Sequence, residues 1–224
     1  MKKKILLLSS ILLISITLLS IYQTYGFPVT SLMKKKNIIV IDVGHGGSDP
    51  GKVSADGTQE KDINLQIASY LRDYLIAQDY TVYLTRETDC GLYDENVSNK
   101  KTSDLNNRVR FFKEKEADYV VSIHQNSYPD TVQHGAQTFF YTSSADSEEF
   151  AKCIQSSLLS FDSSNSRQAK SSDSYFLLKH SVVPSVIIEC GFLSNPEETA
   201  KLKDPNYQKQ LAYHIALGIC NYAH

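Results

Sequence analysis

The chain has 224 residues, 23 basic and 25 acidic side chains, a formal net charge of −2, and 42% hydrophobic residues. So even a balance leaves no electrostatic footprint for nucleic acid, whose binding asks for clustered basic charge. Once the first segment is set aside, about 190 residues remain, enough for one domain with a full core.

Residues 1–26, MKKKILLLSSILLISITLLSIYQTYG, place Lys2 to Lys4 ahead of a nearly uncharged run from Ile5 to Ile21. That is the layout of a secretory signal peptide or of an uncleaved signal-anchor. The run is near the lower limit for a membrane-spanning helix, roughly 17–25 residues. No A-x-A motif follows it, so both outcomes stay open. Either one predicts an exported protein, outside the cytoplasmic membrane, that meets the membrane only through this leader. Residues 27–36 read as a linker and 37–224 as the working domain.

Asn37 to Asp42, NIIVID, is a short β-branched run of the kind buried in parallel sheets. From Asp62, Ile63, Ile67, Tyr70, Leu71, Tyr74 and Leu75 recur at helical spacing. TVYLTR, Thr81 to Arg86, is the next strand. Leu105, Val109 and Phe112 predict a helix capped by Ser103 or Asp104. DYVVSIH ends a strand at His124, and AQTFFYT supplies another. Phe150, Ile154, Ser157 and Leu158 resume the helical rhythm, PSVIIE is a strand ending at Glu189, and Leu211, Ile215, Ile219 and Tyr222 mark a last helix. This alternation predicts an α/β sheet covered by helices in a single domain. The polar connections 87–102 and 160–174 are long enough to be functional rims, and the second is expected to cap a groove. Cys90, Cys153, Cys190 and Cys220 show no C-x-x-C spacing and are expected to be unpaired, mostly buried thiols.

Three strands run apolar and then stop near a residue able to bind metal or move protons: His45, His124 and Glu189. In open α/β sheets, ligands bind outside the carboxyl ends of the strands, so these side chains are aimed at the expected crevice. Glu60 enters at the first turn of the first helix, where the helix dipole favours a carboxylate. Gly46, Gly47 and Gly51 let the intervening loop fold back. His45, Glu60 and His124 would leave a four-coordinate Zn2+ one position open to water. Zinc brings the pKa of such water from 15.7 to ~7, and Glu189 can take its proton and pass it to a leaving amine. Asp49 reads first as a turn residue beside Pro50 and Gly51. His134, His180, His214 and His224 read as structural or surface histidines.

The motifs IDVGHGGSDPG, EKDINLQIA, TR, LNNRVRFFKE, VSIHQNS and SVIIECGFLSNPEE occur in the order found in a known family. At these residues the chain resembles the zinc-dependent N-acetylmuramoyl-L-alanine amidases, from about Asn37 to the C-terminus. The resemblance implies a twisted mixed six-stranded sheet with helices on both faces. It also implies that His45, Glu60 and His124 are zinc ligands and that Glu189 is the catalytic carboxylate. The implied substrate is the amide between N-acetylmuramic acid and L-alanine in peptidoglycan. Val43 stands where the family commonly has proline and Ser127 where it commonly has alanine; neither supplies a ligand. The short length resembles the spore-cortex branch, which forms muramic-δ-lactam together with a muramic acid deacetylase. Some relatives also need an activating protein. A general autolysin, a non-catalytic wall-binding or scaffold protein, and a metallopeptidase cutting within the stem peptide remain the competing readings. Asn126 is expected to contact the bound amide or to serve a turn. Arg86 and Arg108 are expected to form internal salt bridges before they would meet stem carboxylates.

Overall fold

A computed structural model of the chain describes residues 12–17, 20 and 37–223. Most of the expected leader, the 27–36 linker and His224 lie outside these residues; residues 12–17 are helical. Among the described residues no helix is long and apolar enough to cross a membrane. The elements that follow all lie in one compact unit, Lys36–His224.

In chain order these are β1 (Ile38–Val43), α1 (Glu60–Ala77), β2 (Thr81–Leu84), α2 (Lys100–Glu114), β3 (Tyr119–Asn126), β4 (Gln137–Tyr141), α3 (Ala145–Phe161), β5 (Lys170–Ser172), α4 (Phe176–His180), β6 (Ser185–Phe192), α5 (Pro196–Lys203) and α6 (Pro205–Ala223). The strands form one six-stranded sheet in the order β2-β1-β3-β6-β4-β5. β1 runs parallel to β2 and β3, β3 to β6 and β4 to β5, whereas β4 is antiparallel to β6. The mixed sheet implied by the resemblance is therefore the one observed.

Strands buried on both sides read as continuous apolar runs, and β1, β3 and β6 do so because helices cover both faces. Ile39, Ile41, Val121, Ile123, Val186 and Ile188 pack under α1, α3 and α6 through Ile67, Leu71, Phe150, Ile154, Leu211 and Ile215. On the opposite face Val40 and Val120 meet Val109 and Phe112 of α2 and Leu177 of α4, while Leu178 packs on Phe139 and Ile187. Strand periodicity thus sorts neighbouring residues to different helices, which fixes the register of the sheet.

Several boundaries differ from the sequence reading. Asn99, rather than Ser103 or Asp104, caps α2, its side chain accepting from the Thr102 amide. The first turn of α2 is polar and shows no apolar period, so the pattern could not reveal it. Ser103 and Asp104 instead accept from the amides of Asp94 and Leu92, tying the 87–102 connection to the helix. β3 and β6 run past His124 and Glu189 to Asn126 and Phe192, with a shift of register between His124 and Asn126. The 160–174 stretch contains the edge strand β5, whose residues Lys170, Ser171 and Ser172 carry no apolar signal. All four cysteines are unpaired, as expected, but only Cys190 is buried and Cys90 is exposed.

Candidate metal centre

β1 ends at Val43, and His45 follows with φ 62°, a left-handed conformation uncommon for a non-glycine residue. Two arginines hold it there. Arg86 donates to the carbonyl oxygens of His45 at 2.8 Å, Gly44 at 3.1 Å and Lys61 at 2.7 Å. Arg108 donates to Val43 O at 2.7 Å and His45 O at 2.9 Å. Arg108 is itself buried and ion-paired with Asp42 at 2.7 Å and with Asp104. Asp42 also accepts from Ser122 and Thr85. Burial pushes the Asp42 carboxyl up, but Arg108 and the Ser122 hydroxyl outweigh it and hold the group below its ordinary value. The internal salt bridge expected of Arg108 is observed, whereas Arg86 forms none among the described residues. Arg86 differs in one respect: its bonds go to carbonyl oxygens rather than to a carboxylate.

Glu60 is the first residue of α1 and only 2% exposed. Its Oε1 lies 3.2 Å from His45 Nε2 and 2.9 Å from His124 Nδ1, and it accepts from the Gln125 amide at 3.0 Å. Its Oε2 accepts from the Lys52 amide at 2.8 Å. This fold-back requires glycine at position 51, where φ is +68° and a Cβ would sit 2.6 Å from Glu60 Oε2. The imidazoles of His45 and His124 meet edge to face, centroids 4.9 Å apart. One ligand atom from each of His45, Glu60 and His124 falls within 4.8 Å of the others. The three residues singled out from the sequence as ligands thus come together in the fold.

The electrostatics suit a cation. Burial pushes Glu60 up, yet the two imidazoles hold it far below the usual carboxylate range. Burial pushes His45 down, but its bonds to Asp49 and Glu60 outweigh that and raise it to about 9. Asp49, bonded to His45, is lowered to about 2 against a smaller effect of burial. Two imidazole nitrogens and one carboxylate oxygen are a donor set that zinc accepts. Asp49 Oδ2 lies 2.8 Å from His45 Nδ1, where an outer partner would orient the imidazole of a metal-binding histidine. Asp49 also accepts from the Gly51 amide, so its expected turn role coexists with this one.

Glu189 is the register partner of His124 across β3 and β6, and is buried. Its Oε1 accepts from the Tyr175 hydroxyl at 3.1 Å, while Oε2 is buried with no hydrogen-bond partner among the described residues. Burial raises its pKa, against the opposing attraction of His124. A cavity of about 340 Å³ opens beside the cluster, lined among others by His45, His124, Asp49, Tyr93 and Lys101. Its rim comes from the 87–102 connection and the start of α2. The 160–174 stretch expected to cap it lies instead beside β4 at the sheet edge, held by Gln155 and Asn165.

Asn126 turns its Oδ1 back to the Ser127 amide. His134 and His180 bond neighbouring backbone carbonyls, and His214 packs on Phe161. The sequence reading missed Asn64, Gln125 and Tyr175. Asn64 was accessible, since it follows Glu60 by one helical turn on the buried face, where it donates to Gly44 O and Glu60. Tyr175 opens the short apolar run Tyr175 to Leu178, which marks a buried segment but does not point to Glu189.

Residues 39–221 match the family model described as N-acetylmuramoyl-L-alanine amidase. The chain is 40% identical over 195 residues to the germination-specific N-acetylmuramoyl-L-alanine amidase of Bacillus subtilis (strain 168), covering 86% of this chain and 82% of that protein. It superposes on the CwlD amidase from Clostridioides difficile, solved in complex with the GerS lipoprotein, with a TM-score of 0.81 and 42% identity, over 84% of this chain and 98% of that one. A second N-acetylmuramoyl-L-alanine amidase, from Clostridium difficile 630, gives a TM-score of 0.75 at 32% identity, over 85% of this chain and 98% of that one.

Proposed function

The chain belongs to the N-acetylmuramoyl-L-alanine amidase family and is a hydrolase of peptidoglycan; on that premise we propose that His45, Glu60 and His124 hold a zinc ion and that Glu189 moves the proton. The observation that carries this is the approach of His45 Nε2 and His124 Nδ1 to one oxygen of Glu60. When bound, zinc supplies Lewis acidity toward a carbonyl oxygen and a lowered pKa for water.

The protein's own groups do the rest. Asp49 holds the His45 ring so that Nε2 faces the cluster, and Gln125 and Lys52 amides fix the two oxygens of Glu60. The cavity beside His45 and His124 receives the lactyl amide. Water adds to the carbonyl carbon, and Glu189 takes its proton. The carbon–nitrogen bond then breaks, and Glu189 returns the proton to the departing amine. The products are the lactyl carboxylate of N-acetylmuramic acid and a free amino terminus on L-alanine. A carboxyl raised by burial is suited to accept and release a proton near neutral pH.

The germination-specific relative and the structure of the CwlD amidase support a spore-cortex role, in which stem removal precedes muramic-δ-lactam formation with a muramic acid deacetylase. The lipoprotein seen with the CwlD amidase supports a protein partner for this chain as well. Residues 1–26 export the domain to the cell-wall side of the membrane, as a cleaved signal or an anchor.

The test combines zinc analysis with mass spectrometry of digested peptidoglycan. Wild-type protein binds one zinc and releases peptides beginning with free L-alanine; Glu189→Gln keeps the zinc and releases none. Wild-type release by that variant removes Glu189 from the mechanism. Cleavage within the stem peptide would identify a metallopeptidase instead, and an intact glycan–peptide linkage would identify a binding protein.

A further inference from the structure

The carboxyl of Glu189 is divided into one held oxygen and one free one. Oε1 accepts from the Tyr175 hydroxyl at 3.1 Å, and Oε2 is buried without a hydrogen-bond partner among the described residues. We propose that Tyr175 is a positioning residue for amide hydrolysis: its phenol holds Oε1 of Glu189, so that the proton moves through Oε2. The proposal rests on the role of Glu189 given above.

Tyr175 is built to hold a fixed position. Its ring packs against Phe139, centroids 5.4 Å apart, beside the buried Leu178 and Ile187. Its backbone begins α4, and its carbonyl accepts from the Lys179 amide at 3.2 Å. Burial and the neighbouring Glu189 charge both push the phenol up, so it keeps its proton and remains a donor. No lysine or arginine bonds the Glu189 carboxyl among the described residues, which leaves the phenol as the group that fixes its rotation. A proton acceptor free to rotate would spend less time aligned with the reacting water, and misalignment of this kind lowers kcat rather than binding.

Tyr175→Phe keeps the ring and removes only the hydroxyl. A hydrogen bond to a charged group of ordinary strength predicts that kcat falls about 10-fold or more while KM stays within about 2-fold. Zinc content and melting temperature are expected to match the wild type. An unchanged kcat overturns the proposal, and so does a kcat loss that comes with loss of zinc or of melting temperature. Wild-type activity of Glu189→Gln alone refutes the role of Glu189 itself, an outcome separate from any result for Tyr175→Phe in the wild-type background.

Discussion

Asp49 Oδ2 lies 2.8 Å from Nδ1 of His45, across the ring from the nitrogen that faces Glu60. An outer partner so placed sets which imidazole nitrogen is free to ligate, and loss of such partners typically costs about 10–100-fold in metal affinity. Asp49→Ala is expected to weaken zinc binding by that factor in competition with a chromophoric chelator, with the circular dichroism spectrum unchanged. Equal affinity would leave Asp49 with its turn role alone.

Gly51 and Gly57 separate two effects of adding a methyl group. Both have positive φ, +68° and +88°, but a Cβ at Gly51 would strike Glu60 and His45, whereas at Gly57 it meets nothing within 4 Å. Backbone strain of this kind costs about 1–3 kcal/mol. Gly57→Ala should show that loss in a denaturant melt while keeping its zinc. Gly51→Ala should lose stability and, if Glu60 is a ligand as proposed, also bind less than stoichiometric zinc, because the added methyl displaces its carboxylate.

The buried pair Asp42–Arg108 gives a stability prediction with a pH signature. Arg108→Met strands the Asp42 carboxylate, and breaking a buried pair in this way costs about 3–5 kcal/mol. Asp42 titrates below its ordinary value of 3.8 in the folded protein. Its stabilisation is therefore fully present above about pH 4 and is lost as pH falls through the lower folded value. Urea melts from pH 7 to pH 2 should show the wild-type advantage over Arg108→Met shrinking at the acid end. A constant difference across that range would contradict the pairing.

Metal removal is expected to act as ligand linkage. Zinc at 100 times its dissociation constant should stabilise the protein by about 2.7 kcal/mol over the chelated form. The shift in melting temperature should vanish in His124→Ala, which retains only two of the three proposed ligand residues. A zinc-dependent shift of wild-type size in that variant would place the ion elsewhere.

Much of this was legible in the residues. The apolar runs around Val40, Val121 and Ile187 announce buried strands, and the period of Ile63, Ile67 and Leu71 announces α1. His45, Glu60 and His124 could be read as a set because strand ends in such sheets face one crevice. What escaped notice was polar and local. The Asn99 cap and the edge strand β5 sit in segments without apolar rhythm, and Tyr175, though it opens an apolar run, meets Glu189 only through the tertiary fold. The second role of Asp49 was hidden for another reason: the Pro50-Gly51 turn accounts for an aspartate there without any imidazole. The 160–174 stretch shows the limit of length as a guide, since a long polar connection proved to be an edge of the sheet rather than a rim.

Arg86 and Arg108 grip the carbonyls on either side of Gly44 from within the protein, independently of anything bound at the imidazoles. The unusual backbone of His45 is thus settled when the chain folds, before any cation arrives. Chelation and reloading should then exchange an ion without refolding a loop, and other divalent metals offered to the emptied protein would meet the same rigid cradle.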